Sequence, residues 1–229
     1  ETALIGQISA SLSSLHALSA LLKVDDRNVT VDNFPSIADM LIEQLHGITN
    51  LQLAPYGTVS QIHPLEGNEG AIGHALLLDP ARVTGALATI EQQSVGLVGP
   101  LTLLQGGTAI IARLAVFSFF ASEFLPDETW TNSDGEMFSR SCSDLSALDE
   151  NCKLEGRMEN GTATYFWGFA TMVTLVSDLL ATLDFEGLEE GSHLDSRFHW
   201  RILDRTAHAS QESVHGIFAH SSSAGYGVS

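Results

Sequence analysis

Residues 108–120 run almost unbroken through Ile, Ala, Leu, Val and Phe and carry a single charge, Arg113. Such a run, folded as a strand, is buried on both faces and calls for cover on two sides. It is too short to cross a bilayer. It therefore predicts a central strand of a folded domain. It also puts a guanidinium where burial must be offset by an ion pair, a bound anion or a strand edge facing water.

The segments around it supply that cover. Leu4, Ile5, Ile8, Leu12, Leu15, Leu18, Leu21 and Leu22 recur at spacings of three and four, which predicts a long first helix with one apolar stripe. The stripe fits a helix lying on its own domain or one that pairs with a second copy. A second helix is expected over 35–46, opened by Pro35 and closed by Gly47. Residues 48–54 and 58–63 flank the turn sequence Pro55-Tyr56-Gly57 and read as a hairpin. A helix follows over 79–94 and a short connection over 98–107. Beyond the central strand lies a polar, acidic excursion over 121–160. A strand over 163–170, an apolar helix over 171–183 and short strands over 198–204 and 213–220 complete the expectation. Helices and strands alternate without βαβ regularity, so the expected class is α+β with antiparallel sheets.

The chain carries 28 acidic against 10 basic residues, a formal net charge of −18. That balance excludes nucleic acid as a partner and disfavours docking on an anionic membrane face. Cys142 and Cys152 close a short loop within the acidic excursion. Two sequons are present, at Asn28 and Asn160. An even cysteine pair together with sequons favours an oxidising compartment, a Cys142–Cys152 disulfide and glycosylation at both asparagines. The loop lacks the further Cys or His that zinc would need. No signal peptide is visible, and a start at Glu1 fits a segment of a longer protein.

Three stretches resemble a known family when taken in order. They are Leu51-Gln52-Leu53-Ala54-Pro55-Tyr56-Gly57-Thr58-Val59 with Pro64-Leu65-Glu66-Gly67-Asn68-Glu69, then Gly99-Pro100-Leu101-Thr102-Leu103-Leu104-Gln105-Gly106-Gly107, then Tyr165-Phe166-Trp167-Gly168-Phe169-Ala170. Together, behind a long N-terminal helix, they resemble the CHASE family of extracytoplasmic sensor domains, which precede histidine kinases and nucleotide cyclases. The resemblance implies a long helix followed by two PAS-like α/β modules, flanked by transmembrane helices outside this chain. On that basis residues 1–47 hold the helices, 48–160 the membrane-distal module with its disulfide-bearing loop, and 161–229 a membrane-proximal module short in its closing strands.

The resemblance also implies a ligand site in the distal module. Leu104 aligns with a leucine that offers backbone groups to a hormone, Arg113 with a threonine of the central strand, and Arg82 with the neighbourhood of a ligand-binding aspartate. The acidic and hydroxyl anchors for an adenine-type ligand are missing, and two arginines stand in their place. Arginine grips carboxylates and phosphates in bidentate fashion. The expected ligand is therefore a small anion held by Arg82, Leu104 and Arg113. The alternative for Arg113 is an internal ion pair with Glu66, Glu69 or Asp79.

Catalytic signatures are missing. The nine histidines form no His-x-x-x-His or His-Glu-x-x-His, and no Gly-x-Ser-x-Gly elbow occurs. The expectation is a ligand sensor that is not an enzyme and uses no metal or cofactor. It takes a small-molecule ligand and pairs with a second copy through the first helix. The competing reading is a scaffold that signals by that assembly alone, without a small-molecule ligand.

Overall fold

Two long strands organise the protein. In a computed structural model they are β4 (Thr108–Ser118) and β8 (Thr162–Leu175), paired antiparallel along most of their length. The structure describes residues 2–45, 47–103, 107–143, 152–153, 155–181, 201–203 and 217–220. In chain order the elements before β4 are α1 (Thr2–Lys23), α2 (Val29–Asp32), α3 (Phe34–Gln44), β1 (Asn50–Pro55), β2 (Gln61–His63), a 3-10 turn (Glu69–Ala71), α4 (Val83–Gln92) and β3 (Gly96–Thr102). Those after it are β5 (Glu128–Thr131), β6 (Met137–Arg140), β7 (Glu155–Glu159), β8, α5 (Val176–Ala181), β9 (Arg201–Leu203) and β10 (Ile217–His220). The architecture is α+β with antiparallel sheets.

The main sheet runs β2-β1-β8-β4-β3, with β7 paired to the other end of β8. Side chains alternate across it, and each face has its own cover. On one face Leu51, Leu53, Ala112, Leu114, Val116, Ala170 and Met172 pack against Leu15, Leu18 and Leu22 of α1 and Phe34 and Ala38 of α3. From Leu15 onward the stripe of the first helix is spent on the chain's own sheet through Leu15, Leu18 and Leu22, while Leu21 stays 44% exposed. On the opposite face Ala54, Ala115, Phe117 and Phe169 pack against Ala71, Leu76, Ala86 and Ile90 from the 64–82 segment and α4. This cover on both faces is what the uninterrupted apolar run of β4 requires.

Local chemistry fixes the joins. Asp25 closes the turn after α1, its carboxylate accepting from the backbone N–H groups of Val29 (2.8 Å) and Thr30 (2.6 Å). Lys23 pairs with Glu159, and the Ser118 hydroxyl donates to the Lys23 carbonyl, so the end of α1 is tied to β7 and β4. Gly168 lies at φ +150° where β8 shifts register against β4. A Cβ there would collide with the Ala54 carbonyl, so only glycine lets β1 approach.

Several expectations change. The expected helix over 171–183 is strand as far as Leu175, and only Val176–Ala181 is helical. Thr171, Val173 and Thr174 are β-branched, and a strand buried on both faces carries no helical or alternating period to distinguish it. The expected connection over 98–107 contains β3, an edge strand whose register shifts between Val98 and Leu101, around Pro100. A division at residue 160 would cut one sheet, because β8 is hydrogen-bonded to both β1 and β4. The region assigned to a second module falls mostly on residues 182–229, of which only the short antiparallel pair β9–β10 is described. The part of the expected helix beyond residue 181 lies outside the described residues.

The acidic excursion has structure of its own. β5 and β6 form a hairpin, and Cys142 and Cys152 are joined by a disulfide with both residues buried. Asp127 accepts from the backbone N–H groups of Cys142 and Ser143 and from the Ser143 hydroxyl, fixing the entry to the bridged loop. Glu128 accepts from Thr58 and from Arg140 (2.9 Å), holding the hairpin against the β1–β2 turn.

Candidate functional site

Register places one polar row in the middle of an otherwise apolar face. Arg113 on β4 stands opposite Gly96 on β3 and Thr171 on β8, and Thr171 in turn opposite Gln52 on β1. One step along, the row is Val98, Ile111, Val173 and Asn50. Over this part of the sheet the 64–82 cover does not close completely. A cavity remains, lined by Asn50, Gln52, Arg82, Arg113 and Thr171 with apolar walls that include Leu101, Ile111 and Val173. Its inner volume is about 50 Å³, within about 520 Å³ of free space that includes the open mouth.

Arg113 is the unusual group. It is 5% exposed, and its Nε is buried without a hydrogen-bond partner. The Thr171 hydroxyl beside it is likewise buried and unpartnered. Among the described residues no carboxylate pairs with Arg113. Glu66 and Glu69 are exposed, and Asp79 bonds His74 instead. The described contact of the guanidinium is the Phe169 ring, 5.4 Å from its carbon. Burial lowers the Arg113 pKa to about 10, and the like charge of Arg82 adds to the shift. Both arginines line the cavity, so it presents two positive charges.

The rest of the row is arranged by hydrogen bonds. Gln52 Nε2 donates to Asn50 Oδ1 (3.0 Å), and Asn50 Nδ2 donates to Asn68 Oδ1 (3.1 Å). Asn68 itself donates to the Pro64 carbonyl (3.0 Å), so the chain of amides ties β1 to the covering loop. At the rim His74 Nε2 and Asp79 Oδ2 are 2.7 Å apart. The His74 ring lies 5.1 Å from that of Trp130, which stacks at 5.7 Å on Phe138. His74 thus lines the arginine cavity and also a larger surface groove, of about 840 Å³, between the covering loop and the β5–β6 hairpin.

Of the residues expected to bind, Arg82 and Arg113 meet in one cavity. Leu104 lies outside the described residues, although its neighbour Leu103 lines the cavity. Gln52, Asn50, Thr171 and His74 were not singled out from sequence. Gln52 carried a usable signal, being the polar residue between Leu51 and Leu53 in a strand. Thr171 carried none once it was read as helical. Asn28 and Asn160 are both exposed and in left-handed backbone, Asn160 at the turn between β7 and β8. Among the described residues no group of His, Cys, Asp and Glu is placed to hold a metal, and no helix is long and apolar enough to cross a membrane.

No protein-family model matches the chain, and no curated protein does. The motif resemblance to CHASE domains thus has no support from family comparison. Among solved structures, an extracellular ligand binding receptor from Desulfohalobium retbaense DSM5692 aligns over 77% of this chain and 24% of that one, at 12% identity and a TM-score of 0.46. The chain therefore spans about a quarter of that receptor's length, and a likeness this distant does not identify the fold.

Proposed function

We propose that the chain is the extracytoplasmic sensing domain of a membrane receptor, and that it binds a small anion in the Arg113 cavity without acting on it. One observation carries this reading. A guanidinium is buried in the centre of the sheet, faces a second arginine, and has an unpartnered Nε and no carboxylate among the described residues. A purely structural arginine so placed would be a net cost, whereas an anion-binding one is poised. The disulfide fits an oxidising compartment, and the exposed sequon asparagines suit glycosylation. The motif run and the main antiparallel sheet, covered on both faces, support a CHASE-like, PAS-like module. Attachment to flanking transmembrane helices rests on that resemblance alone.

The test is a thermal-shift titration of the purified chain with a panel of small anions at fixed ionic strength. At least one should raise Tm saturably, and Arg113→Ala should remove that rise. A wild-type protein indifferent to every anion, or a response untouched by Arg113→Ala, would overturn the reading.

A further inference from the structure

The anion reading leaves open which anion, and the cavity's shape and unpartnered groups narrow the answer. Three features bear on it together. First, the unpartnered buried polar atoms lining the cavity are Arg113 Nε and Thr171 Oγ1, which sit on directly opposed positions of β4 and β8. An Nε–H and the adjacent Nη–H form a planar fork matched to the two oxygens of a carboxylate, and a threonine hydroxyl beside it can donate to the same group. Gln52 and Asn50 each commit one of their two amide N–H groups to Asn50 and Asn68, so at most one apiece remains for a ligand. Second, the inner part of the site is small, about 50 Å³, on the order of four water-sized groups at roughly 10–15 Å³ each, and it continues into an open mouth. Third, the walls beyond the polar row are aliphatic, from Leu101, Ile111 and Val173. A fully oxygenated inorganic anion would press charge against them, whereas a short hydrocarbon tail would gain by their contact.

We infer that the site takes a short-chain monocarboxylate of about two to four carbons, its carboxylate bridging Arg113 and Thr171 and its tail on the Ile111–Val173 wall. This rests on the anion-binding reading of the same cavity. Arg82, half-buried and lining the same cavity, adds attraction for the carboxylate, and His74 borders the site.

The experiment uses the full chain and calorimetric titration with sodium acetate, propionate and butyrate. Sodium phosphate and sulfate serve as comparators at matched ionic strength. Two variants are titrated alongside, Arg113→Lys, which keeps the charge and removes the fork, and Thr171→Val, which removes the hydroxyl at nearly constant shape. At least one carboxylate should bind saturably and more tightly than either inorganic anion. Each variant should weaken that binding about tenfold or more, as loss of a buried charge-assisted hydrogen bond does. Binding of phosphate or sulfate that is tighter than any carboxylate, and lost in Arg113→Lys, would overturn the carboxylate while leaving an anion site. No binding of any anion by the wild-type chain would overturn both. Carboxylate binding unchanged in both variants would place it elsewhere and overturn this assignment. If Arg113→Lys fails to give a cooperative melt, Thr171→Val decides alone.

Discussion

At the scale of single residues, the decisive fact is that Arg113 is expensive where it stands. Burial lowers its pKa in the folded chain to about 10, well below the ordinary arginine range. The unfolded chain therefore holds the proton more tightly, and the penalty is fully present at every pH below about 10. It is relieved only as pH rises from there toward the ordinary arginine range, so at neutral pH it destabilises the empty domain by on the order of 3 kcal/mol. Replacement by a flexible apolar side chain of similar reach should remove that cost. Arg113→Met is expected to stabilise the ligand-free protein by about 1–3 kcal/mol in urea unfolding while abolishing any anion-induced rise in Tm. A destabilised Arg113→Met would mean that the guanidinium makes structural contacts it does not show in the fold. The sequence displayed this tension directly, as one charge inside an apolar run. It did not display the partner groups, because Thr171 and Gln52 become neighbours of Arg113 only through strand register across three strands.

At the scale of elements, what was legible followed period and punctuation. The stripe of α1, the proline opening of α3 and the Pro55-Tyr56-Gly57 turn each carry a local signal strong enough to survive packing. Strand β3 and the second half of β8 do not. The first is broken by Gly99-Pro100 and sits at a sheet edge, and the second is buried on both faces, so length and flanks were the remaining guides. The disulfide element is different again, since its cysteines were plain but its latch was not. Asp127, held below the usual carboxylate range by the Ser143 hydroxyl and the backbone N–H groups of Cys142 and Ser143, anchors the bridged loop. A depressed carboxyl pKa contributes stability that is complete above its unfolded value, about 3.9, and is lost as pH falls through the lower folded value. Proteolytic nicking within the excursion, measured with an acid-active protease, should therefore accelerate at that low pH in the wild-type chain. Asp127→Asn should nick faster than wild type at neutral pH and show no comparable acid step. Paired Cys142→Ser and Cys152→Ser changes should cost about 2–4 kcal/mol in unfolding free energy, the range for a short bridged loop.

At the scale of the whole molecule, the cavity and the first helix lie on opposite faces of the same strands. Arg113 points into the cavity, while its neighbours Ala112 and Leu114 pack against α1. Thr171 stands between Ala170 and Met172, which belong to that second face as well. A ligand that neutralises Arg113 therefore acts on the strands that support α1, with no further layer between. The far end of α1 is held to the same sheet by the Lys23–Glu159 pair and by the Ser118 hydroxyl on the Lys23 carbonyl. If the proposed anion binds there, relief of the buried charge would disfavour conformations that let water reach Arg113. This is a population shift set by the difference in affinity between the two states. Hydrogen exchange is the measurement that sees it. A bound anion should slow exchange not only in β4 and β8 but also in the part of α1 from Leu15 to Lys23, whose packing partners those strands supply. Arg113→Met, locked in the satisfied state, should already show the slowed pattern without any anion. Protection that stops at the strands and leaves α1 unchanged would show that this helix does not read the cavity.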